Sequence, residues 1–211
     1  HVEFILNDVY QGIFVFMEKV KVDTNRIPLS PTILDDDSGG FILKIESGGE
    51  QNYFVADDGY TKIEFYDPDY KDFQEAVVSG DITNNDFFRK QTIMRRKVNE
   101  FERNLNINNN YDIDSFADYW LMEEFSRNNE GFTRSQYWYN KGNDDKFYMG
   151  PVWDFNHSFG ATITNIEGWA TQTFFAIPGI WSQLVYAGLG GNDLTPVNLE
   201  SSKDFRWKIF K

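Results

Sequence analysis

The sequence contains no cysteine, only two histidines and no apolar run as long as a membrane-spanning segment. The absence of cysteine excludes disulfide bonds, thiol catalysis and cysteine-ligated metal ions. Basic residues are also in the minority, with 20 lysines and arginines against 33 acidic residues and a formal net charge of -13 at pH 7. An electrostatic field of this sign disfavours nucleic acid and anionic membranes as partners. A polyanionic ligand would therefore need a metal ion or a local positive charge in order to approach.

Aromatic residues, in contrast, are abundant. They make up 18% of the 211 residues, including 20 phenylalanines and 11 tyrosines. A chain of this length can form one sizeable hydrophobic core, which these side chains would supply. An aromatic-lined pocket or a sugar-binding face is the alternative. The chain opens with "HVEFILNDVY", which has no methionine and already alternates as a strand does. We therefore expect residues 1–211 to be a piece of a longer protein.

Strand-like and helical patterns occupy separate parts of the sequence, which predicts an α+β fold. The expected strands form a hairpin around Asn7 and Asp8 and then, after a loop at residues 28–40, follow at residues 41–46, 52–56 and 60–66. From Asn84 onward, apolar residues recur with helical spacing, at positions 87, 94, 98, 101 and 105. Asp114 is expected to cap a second helix at residues 115–127.

A second hairpin is predicted after this helix, because "SQYWYN" and "DKFYMG" have strand composition and are joined by "KGND". If the turn centres near Asn143, residues whose numbers sum to about 286 lie opposite each other. Glu130 then falls near Asn156, and Phe132 near Asp154. Since paired strands lie only about 4.8 Å apart, the end of the helix and the "WDFN" segment should emerge side by side. The polar residues brought together in this way are Asn128, Asn129, Glu130, Asp154 and Asn156.

A cluster of oxygen ligands without histidine or cysteine suits Mg²⁺, Mn²⁺ or Ca²⁺ rather than zinc. The aromatic neighbours of Asp154 strengthen this interpretation, because burial makes an unpaired carboxylate costly and demands a partner. The alternative is that these residues are ordinary turn residues, since aspartate and asparagine are common in turns.

Four motifs together resemble the CotH family of atypical, secreted or spore-coat protein kinases. They are "NDVYQGIFVFMEKV" with Asn7, Tyr10, Gly12 and Glu18, "DIDSFADYWLMEEFSRNNEG" with an Asp-led helix running into an Asn-x-Asp-like element, "MGPVWDFNHSFG" with Pro-x-Trp-Asp-Phe-Asn, and "FRWKIF". The third motif is the most specific of the four, and the resemblance spans nearly the whole chain.

The resemblance implies a protein-kinase-like fold in a single domain, residues 1–211, that is incomplete at its N-terminus. Residues 1–22 would form the end of the small lobe and the hinge, and residues 23–211 the large lobe. It also implies ATP with Mg²⁺ or Mn²⁺ as cofactors, a secreted or surface protein as phosphate acceptor, and an extracellular or cell-surface location. No nucleic acid partner and no membrane span are expected.

Roles for individual residues follow from the same resemblance. Asp154 would bind the metal with help from Asn156, and Glu130 would take the place of the catalytic-loop carboxylate. Asn128 or Asn129 would position substrate or assist a second metal. Glu18 and Lys19 would lie at the hinge beside the nucleotide base. A strand end with solvated charges explains these two residues equally well.

Two departures from the family pattern leave other functions open. Glu130 replaces an aspartate, and a displacement of roughly 1 Å at a catalytic group can cost about 10²-fold in rate. Asn156 is neutral and adds no charge to a metal site. One alternative is therefore a catalytically degenerate structural or interaction module of a cell-surface or secreted assembly. The other is a carbohydrate-active protein that uses two carboxylates in an aromatic cleft.

Overall fold

The computed structural model of this chain describes residues 1–34, 36–46, 53–56, 62–103, 110–126, 128, 131 and 134–158. These residues form an α+β structure with two antiparallel sheets and three α-helices, which confirms the predicted class. The strands are β1 (Val2–Leu6), β2 (Val9–Phe14), β3 (Phe41–Ile45), β4 (Tyr53–Val55), β5 (Lys62–Asp67), β6 (Gln136–Asn140) and β7 (Phe147–Met149). The helices are α1 (Tyr70–Ser79), α2 (Asn84–Arg103) and α3 (Ile113–Ser126), and a 3₁₀ turn follows at Phe155–His157. The kinase-like arrangement of lobes stays a prediction.

Strands β1 and β2 pair only with each other, whereas the other five form one sheet in the order β4-β5-β3-β6-β7. The central strand β3 has the sequence "FILKI" and is buried along its length apart from Lys44. A short, almost continuous apolar run of this kind is typical of a strand covered on both faces.

One face of the five-stranded sheet packs against α2 and α3. Phe41, Leu43 and Ile45 of β3 point to this side, as alternation along a strand requires. Helix α2 contributes Met94, Val98 and Phe101, the apolar face that the sequence spacing predicts. Buried partners from the later elements complete the core: Phe116, Tyr119, Trp138, Phe147 and Met149. The hairpin β6–β7 is therefore fixed by the largest part of the hydrophobic core.

The opposite face of the sheet is covered by the irregular segment between β2 and β3. Val20 and Ile27 of this segment pack with Ile42 and Tyr137. Leu29, Tyr66, Tyr139 and Trp153 join the same cluster at its margin. The segment that contains Val20 is thus connected, through side-chain packing, to the chain just before Asp154.

The register of the second hairpin agrees with the sequence prediction to within one residue. Trp138 pairs with Met149, and Asn140 pairs with Phe147, so opposed residue numbers sum to 287. The outer edge of β7 is held by the chain before α3, where the backbone N–H of Asp112 donates to the Phe147 carbonyl at 2.9 Å. The predicted first hairpin is also present, with Asn7 and Asp8 at its turn.

Three details of the prediction were wrong. Strand β2 begins at Val9 and ends at Phe14, so Glu18 and Lys19 lie beyond the strand rather than at its end. Asp112, not Asp114, caps α3, because its Oδ2 accepts the N–H of Ser115 at 3.0 Å. Helix α1 was not predicted at all. The suggested helix in "PGIWSQLVYAG" and the segment "KDFRWKIFK" lie outside the described residues.

Helix α2 has 20 residues, but its surface is rich in charged side chains. Within the described ranges, no helix has both the length and the apolar character needed to cross a membrane.

Candidate functional site

Asp154 follows β7 and begins the 3₁₀ turn, and its backbone lies in the left-handed region, with φ 61 and ψ 64. Ser135, immediately before β6, also has a positive φ, of 55. The Ser135 hydroxyl donates to Oδ2 of Asp154 at 3.2 Å, so two residues in this unusual conformation contact each other. Left-handed conformations cost non-glycine residues free energy and persist where surrounding contacts stabilise them, frequently at functional sites.

Asn128 lies just after α3 and is completely buried. Its Nδ2 donates to the backbone carbonyl of Asp154 at 3.3 Å. Its backbone N–H donates to the carbonyl of Glu123 at 3.3 Å, which connects it to the last turn of the helix. The structure thus brings Asn128 and Asp154 together, as the hairpin prediction requires. The roles assigned to these two residues stay predictions.

Of the other members of the predicted cluster, the structure describes Asn156 alone. Asn156 is in the 3₁₀ turn, two residues after Asp154, and its side chain is exposed. Glu130, Asn129 and Phe132 lie outside the described residues, so the position of the proposed catalytic carboxylate stays a prediction.

Glu18 and Lys19 are exposed and directly precede the buried Val20. Glu18 forms an ion pair with Arg26, with 3.3 Å between Oε2 and Nη1. Burial raises the pKa of Asp67, and Lys19 is near enough to offset part of that rise. The carbonyl of Val20 accepts the Tyr66 hydroxyl at 2.9 Å, which ties this segment to the sheet face that also carries Trp153.

Glu123, in the last turn of α3, is a polar residue of this region that the sequence analysis missed. It is completely buried, and neither carboxylate oxygen makes a hydrogen bond of ordinary geometry with the described part of the chain. Burial raises the pKa of Glu123 to about 7, while the nearby Asn128 and Tyr119 side chains lower it by smaller amounts. Its carboxyl group also faces Gly131, whose carbonyl accepts the Tyr119 hydroxyl at 2.6 Å.

Helical spacing carries a signal that would have identified this glutamate. Phe116, Tyr119, Glu123 and Ser126 follow one another at intervals of three, four and three residues and are all buried. Leu121, Met122 and Phe125 of the same helix are exposed instead. The core-facing side of α3 therefore ends in polar groups beside the site, whereas three apolar side chains near the same end of the helix face outward.

The arrangement offers hard oxygen donors from two adjacent loops. The half-buried Asp154 carboxylate uses one oxygen to accept from Ser135, which leaves the other available for a cation. The exposed amide of Asn156 lies two residues after Asp154, in the 3₁₀ turn. These groups fit part of the shell of Mg²⁺ or Mn²⁺, which takes few protein ligands when phosphate oxygens complete it. Within the described residues, no three histidine, cysteine, aspartate or glutamate side chains form a cluster of their own that could hold a metal.

Comparison with protein-family models decides the family. The model for CotH, described as CotH kinase protein, matches residues 1–187. The chain belongs to the CotH family. No curated protein and no solved structure matches it. The CotH match includes every candidate site residue named above, from Glu18 to Asn156.

Proposed function

We propose that this CotH-family chain is an atypical protein kinase that transfers phosphate from ATP to a protein hydroxyl with the help of a divalent metal. The observation that carries the proposal is the contact between Asn128 and Asp154, 26 residues apart in sequence, at a point where Asp154 has a strained backbone. Within a family described as kinase proteins, a positioned carboxylate of this kind suits the metal site of phosphoryl transfer.

Phosphoryl transfer makes small demands on covalent chemistry and large demands on positioning. In the proposed site, Asp154 and Asn156 hold Mg²⁺ or Mn²⁺, and Asn128 fixes the Asp154 backbone by its hydrogen bond to the carbonyl. When bound, the metal neutralises phosphate charge, which removes the electrostatic objection to ATP binding an acidic protein. Glu130 orients the acceptor hydroxyl and takes its proton. Glu18 and Lys19 lie beside the nucleotide base.

The proposal extends to fold and location. We expect the described elements to belong to a kinase-like fold, with residues 1–22 at the end of the small lobe and in the hinge and residues 23–211 in the large lobe. The packing of Val20 and Trp153 into one cluster supports this assignment, because it links the proposed base-binding segment to the proposed metal-binding segment. The expected acceptor is a secreted or surface protein, and the expected location is extracellular or at the cell surface.

Phosphate transfer from labelled ATP in the presence of Mg²⁺ or Mn²⁺ tests the proposal. The assay uses the longest natural protein that contains this chain, with Asp154→Asn as the variant. Asp145→Asn is the matched control, because Asp145 is an exposed aspartate in the turn of the same hairpin. We expect Asp154→Asn to lower transfer by about 10²-fold or more, the scale of loss when a reacting group is misplaced, and Asp145→Asn to leave it unchanged. If the wild-type protein binds nucleotide but transfers no phosphate, the kinase mechanism is wrong for this member.

The glutamate at position 130 favours a second function, a degenerate structural or interaction module that keeps the fold without catalysis. The variant Glu130→Asp separates the two. A kinase with a poorly placed base gains activity when the shorter side chain is restored. A module that does not bind Mg²⁺–ATP shows no activity in either form and no thermal stabilisation by the nucleotide.

A further inference from the structure

We propose that Glu123 is a positioning residue of this site, which fixes the chain at Asn128 and Gly131 and, through Asn128, the backbone of Asp154. The effect on catalysis rests on the proposed function, whereas the effect on local structure does not.

The first observation is the close fit between Glu123 and Gly131. A Cβ atom added at Gly131 would lie 1.9 Å from Oε2 of Glu123 and 2.3 Å from its Cδ. Any side chain at position 131 therefore requires the Glu123 carboxyl to move. Position 131 directly follows Glu130, the proposed base, in the sequence.

The second observation is the chain of polar groups that runs from Glu123 to Asp154. The Asn128 amide has two N–H groups, one of which donates to the Asp154 carbonyl at 3.3 Å. The Asn128 side chain is also close enough to the Glu123 carboxyl to affect its ionisation. The Tyr119 hydroxyl, which donates to the Gly131 carbonyl at 2.6 Å, also lies close enough to the Glu123 carboxyl to affect its ionisation. The Glu123 carboxyl therefore lies beside polar groups of both Asn128 and Tyr119, and its oxygens can act as acceptors for them.

The third observation is that the position suits an apolar residue better. Glu123 occupies the core-facing side of α3, in line with Phe116 and Tyr119, and is completely buried. Burying a carboxyl group without fully formed hydrogen bonds is unfavourable, and an apolar side chain of similar size would avoid that cost. Packing alone therefore does not explain a glutamate at position 123. Its proximity to Asn128 and to Gly131 does explain it.

The test compares Glu123→Ala and Glu123→Gln in the full chain, with Asp118→Asn as the matched control. Asp118 is an exposed carboxylate on the same helix. Glutamine keeps both an acceptor and a donor, whereas alanine keeps neither. Two measurements are made: amide hydrogen exchange at Asn128, Gly131 and Asp154, and the kcat and KM for Mg²⁺–ATP. Glu123→Ala is expected to raise exchange at the three amides about tenfold and to lower kcat about 10²-fold with KM unchanged. Asp118→Asn is expected to stay within about threefold of wild type in both measurements. Glu123→Gln is expected to keep kcat within the same range and to raise exchange at none of the three amides.

The outcomes separate this inference from the proposed function. If the wild-type protein transfers no phosphate, the proposed kinase activity fails, and hydrogen exchange still decides the role of Glu123. If exchange at the three amides is the same in Glu123→Ala and wild type, the inference is wrong. It is equally wrong if exchange rises to the same extent throughout β6 and β7, since that indicates a general loss of stability.

A double-mutant cycle tests the contact itself. Gly131→Ala should disturb the site when Glu123 is present, because the added Cβ meets the carboxyl group. In the Glu123→Ala background the space is free, so the same substitution should change exchange at Asn128 and Asp154 by less than twofold. Equal effects of Gly131→Ala in both backgrounds would show that the two residues are not coupled.

Discussion

The hairpin of β1 and β2 and the hairpin of β6 and β7 are both made of aromatic and aliphatic residues around a short polar turn. Every residue of β1 and β2 is exposed except Gly12, which is half-buried. Every residue of β6 and β7 is buried except Tyr139, which is half-buried. Two non-glycine residues with positive φ also lie within or next to each hairpin. In the first they form the exposed turn, Asn7 and Asp8, and in the second they are Ser135 and Asp154 at the candidate site.

This difference shows that local sequence decides whether a hairpin forms, while the rest of the chain decides whether the hairpin is buried and can support a site. In the first hairpin, cross-strand contacts such as the edge-to-face pair Phe4 and Phe14, with ring centroids 5.1 Å apart, support the strands. In the second, the two helices cover one face, the segment between β2 and β3 covers the other, and β3 pairs with β6 within the sheet. A site that must keep its groups within fractions of an ångström belongs on the second kind of scaffold.

The largest contrast is expected from removing one aromatic ring from each hairpin. Trp138 is 1% exposed and packs edge-to-face against Phe101, with ring centroids 5.5 Å apart. Trp138→Ala should lower the free energy of unfolding by about 3–5 kcal/mol, because it leaves a large cavity in the core. Phe4→Ala should cost less than about 1 kcal/mol. Denaturant unfolding followed by far-UV circular dichroism measures both. Similar losses for the two variants would contradict the distinction between the hairpins.

A somewhat smaller change in the free energy of unfolding is expected when pH changes the ionisation of Glu123. The pKa of Glu123 is raised by burial from 4.5 to about 7. Between these values the folded protein binds a proton that the unfolded chain releases, so this group lowers stability as pH rises from about 4.5 to 7. A shift of this size corresponds to about 3 kcal/mol. Glu123→Gln should therefore match wild type near pH 4 and exceed it in stability at pH 8.

The control for this pH effect is Glu3→Gln, which removes an exposed carboxylate from the first hairpin. Unfolding free energies are measured for the three proteins between pH 4 and pH 8. The curves of Glu3→Gln and wild type should be parallel. If the curve of Glu123→Gln is parallel to them as well, burial does not control the ionisation of Glu123.

The register of the second hairpin was predictable because turn composition and strand alternation are local properties. Helical spacing of apolar residues, which is also a local property, predicted the face of α2 that carries Met94 and Val98. Helix α1 was missed although Asp69 and Asp72 form a capping box and Gly80 ends the helix. The pattern of an N-cap residue, an acidic residue three positions on and a terminal glycine was available in the sequence.

Burial of polar groups was harder to predict, because helical spacing shows which positions share a face but not which face the rest of the chain covers. Glu123 shares the phase of Phe116 and Tyr119 on α3, but its charge conceals this position in a search for apolar residues. The proximity of Asn128 and Asp154 followed from the hairpin register alone. The conformation of Asp154 did not, since a left-handed aspartate is set by its contacts with Ser135 and Asn128 rather than by its sequence neighbours.

The turns of the two hairpins should also respond differently to substitution by alanine. Gly142, in the second turn, has φ 82, and a Cβ there would lie 2.3 Å from backbone atoms of Gly39 and Gly40. Gly142→Ala should cost about 2 kcal/mol of unfolding free energy, from strain and from displacement of that loop. Asn7→Ala also places alanine in the left-handed region, at a local cost of about 1–2 kcal/mol. Because the first hairpin contacts solvent, we expect the global unfolding midpoint of Asn7→Ala to stay at the wild-type value. An equal shift in both midpoints would mean that the first hairpin unfolds together with the core.

The smallest effects are expected on the exposed faces of the first hairpin and the segment that follows it. Ile13 is 68% exposed and Phe16 is 85% exposed. Ile13→Ser and Phe16→Ser should each change the unfolding free energy by less than about 0.5 kcal/mol, since neither side chain fills a core position. Met149→Ser in β7, where the side chain is 5% exposed, is the matched variant and should cost about 2 kcal/mol or more. Removing exposed apolar surface should also reduce self-association at high concentration, which sedimentation velocity measures. If Ile13→Ser destabilises the protein as much as Met149→Ser does, the first hairpin is packed against the core in solution, and the contrast between the two hairpins does not hold.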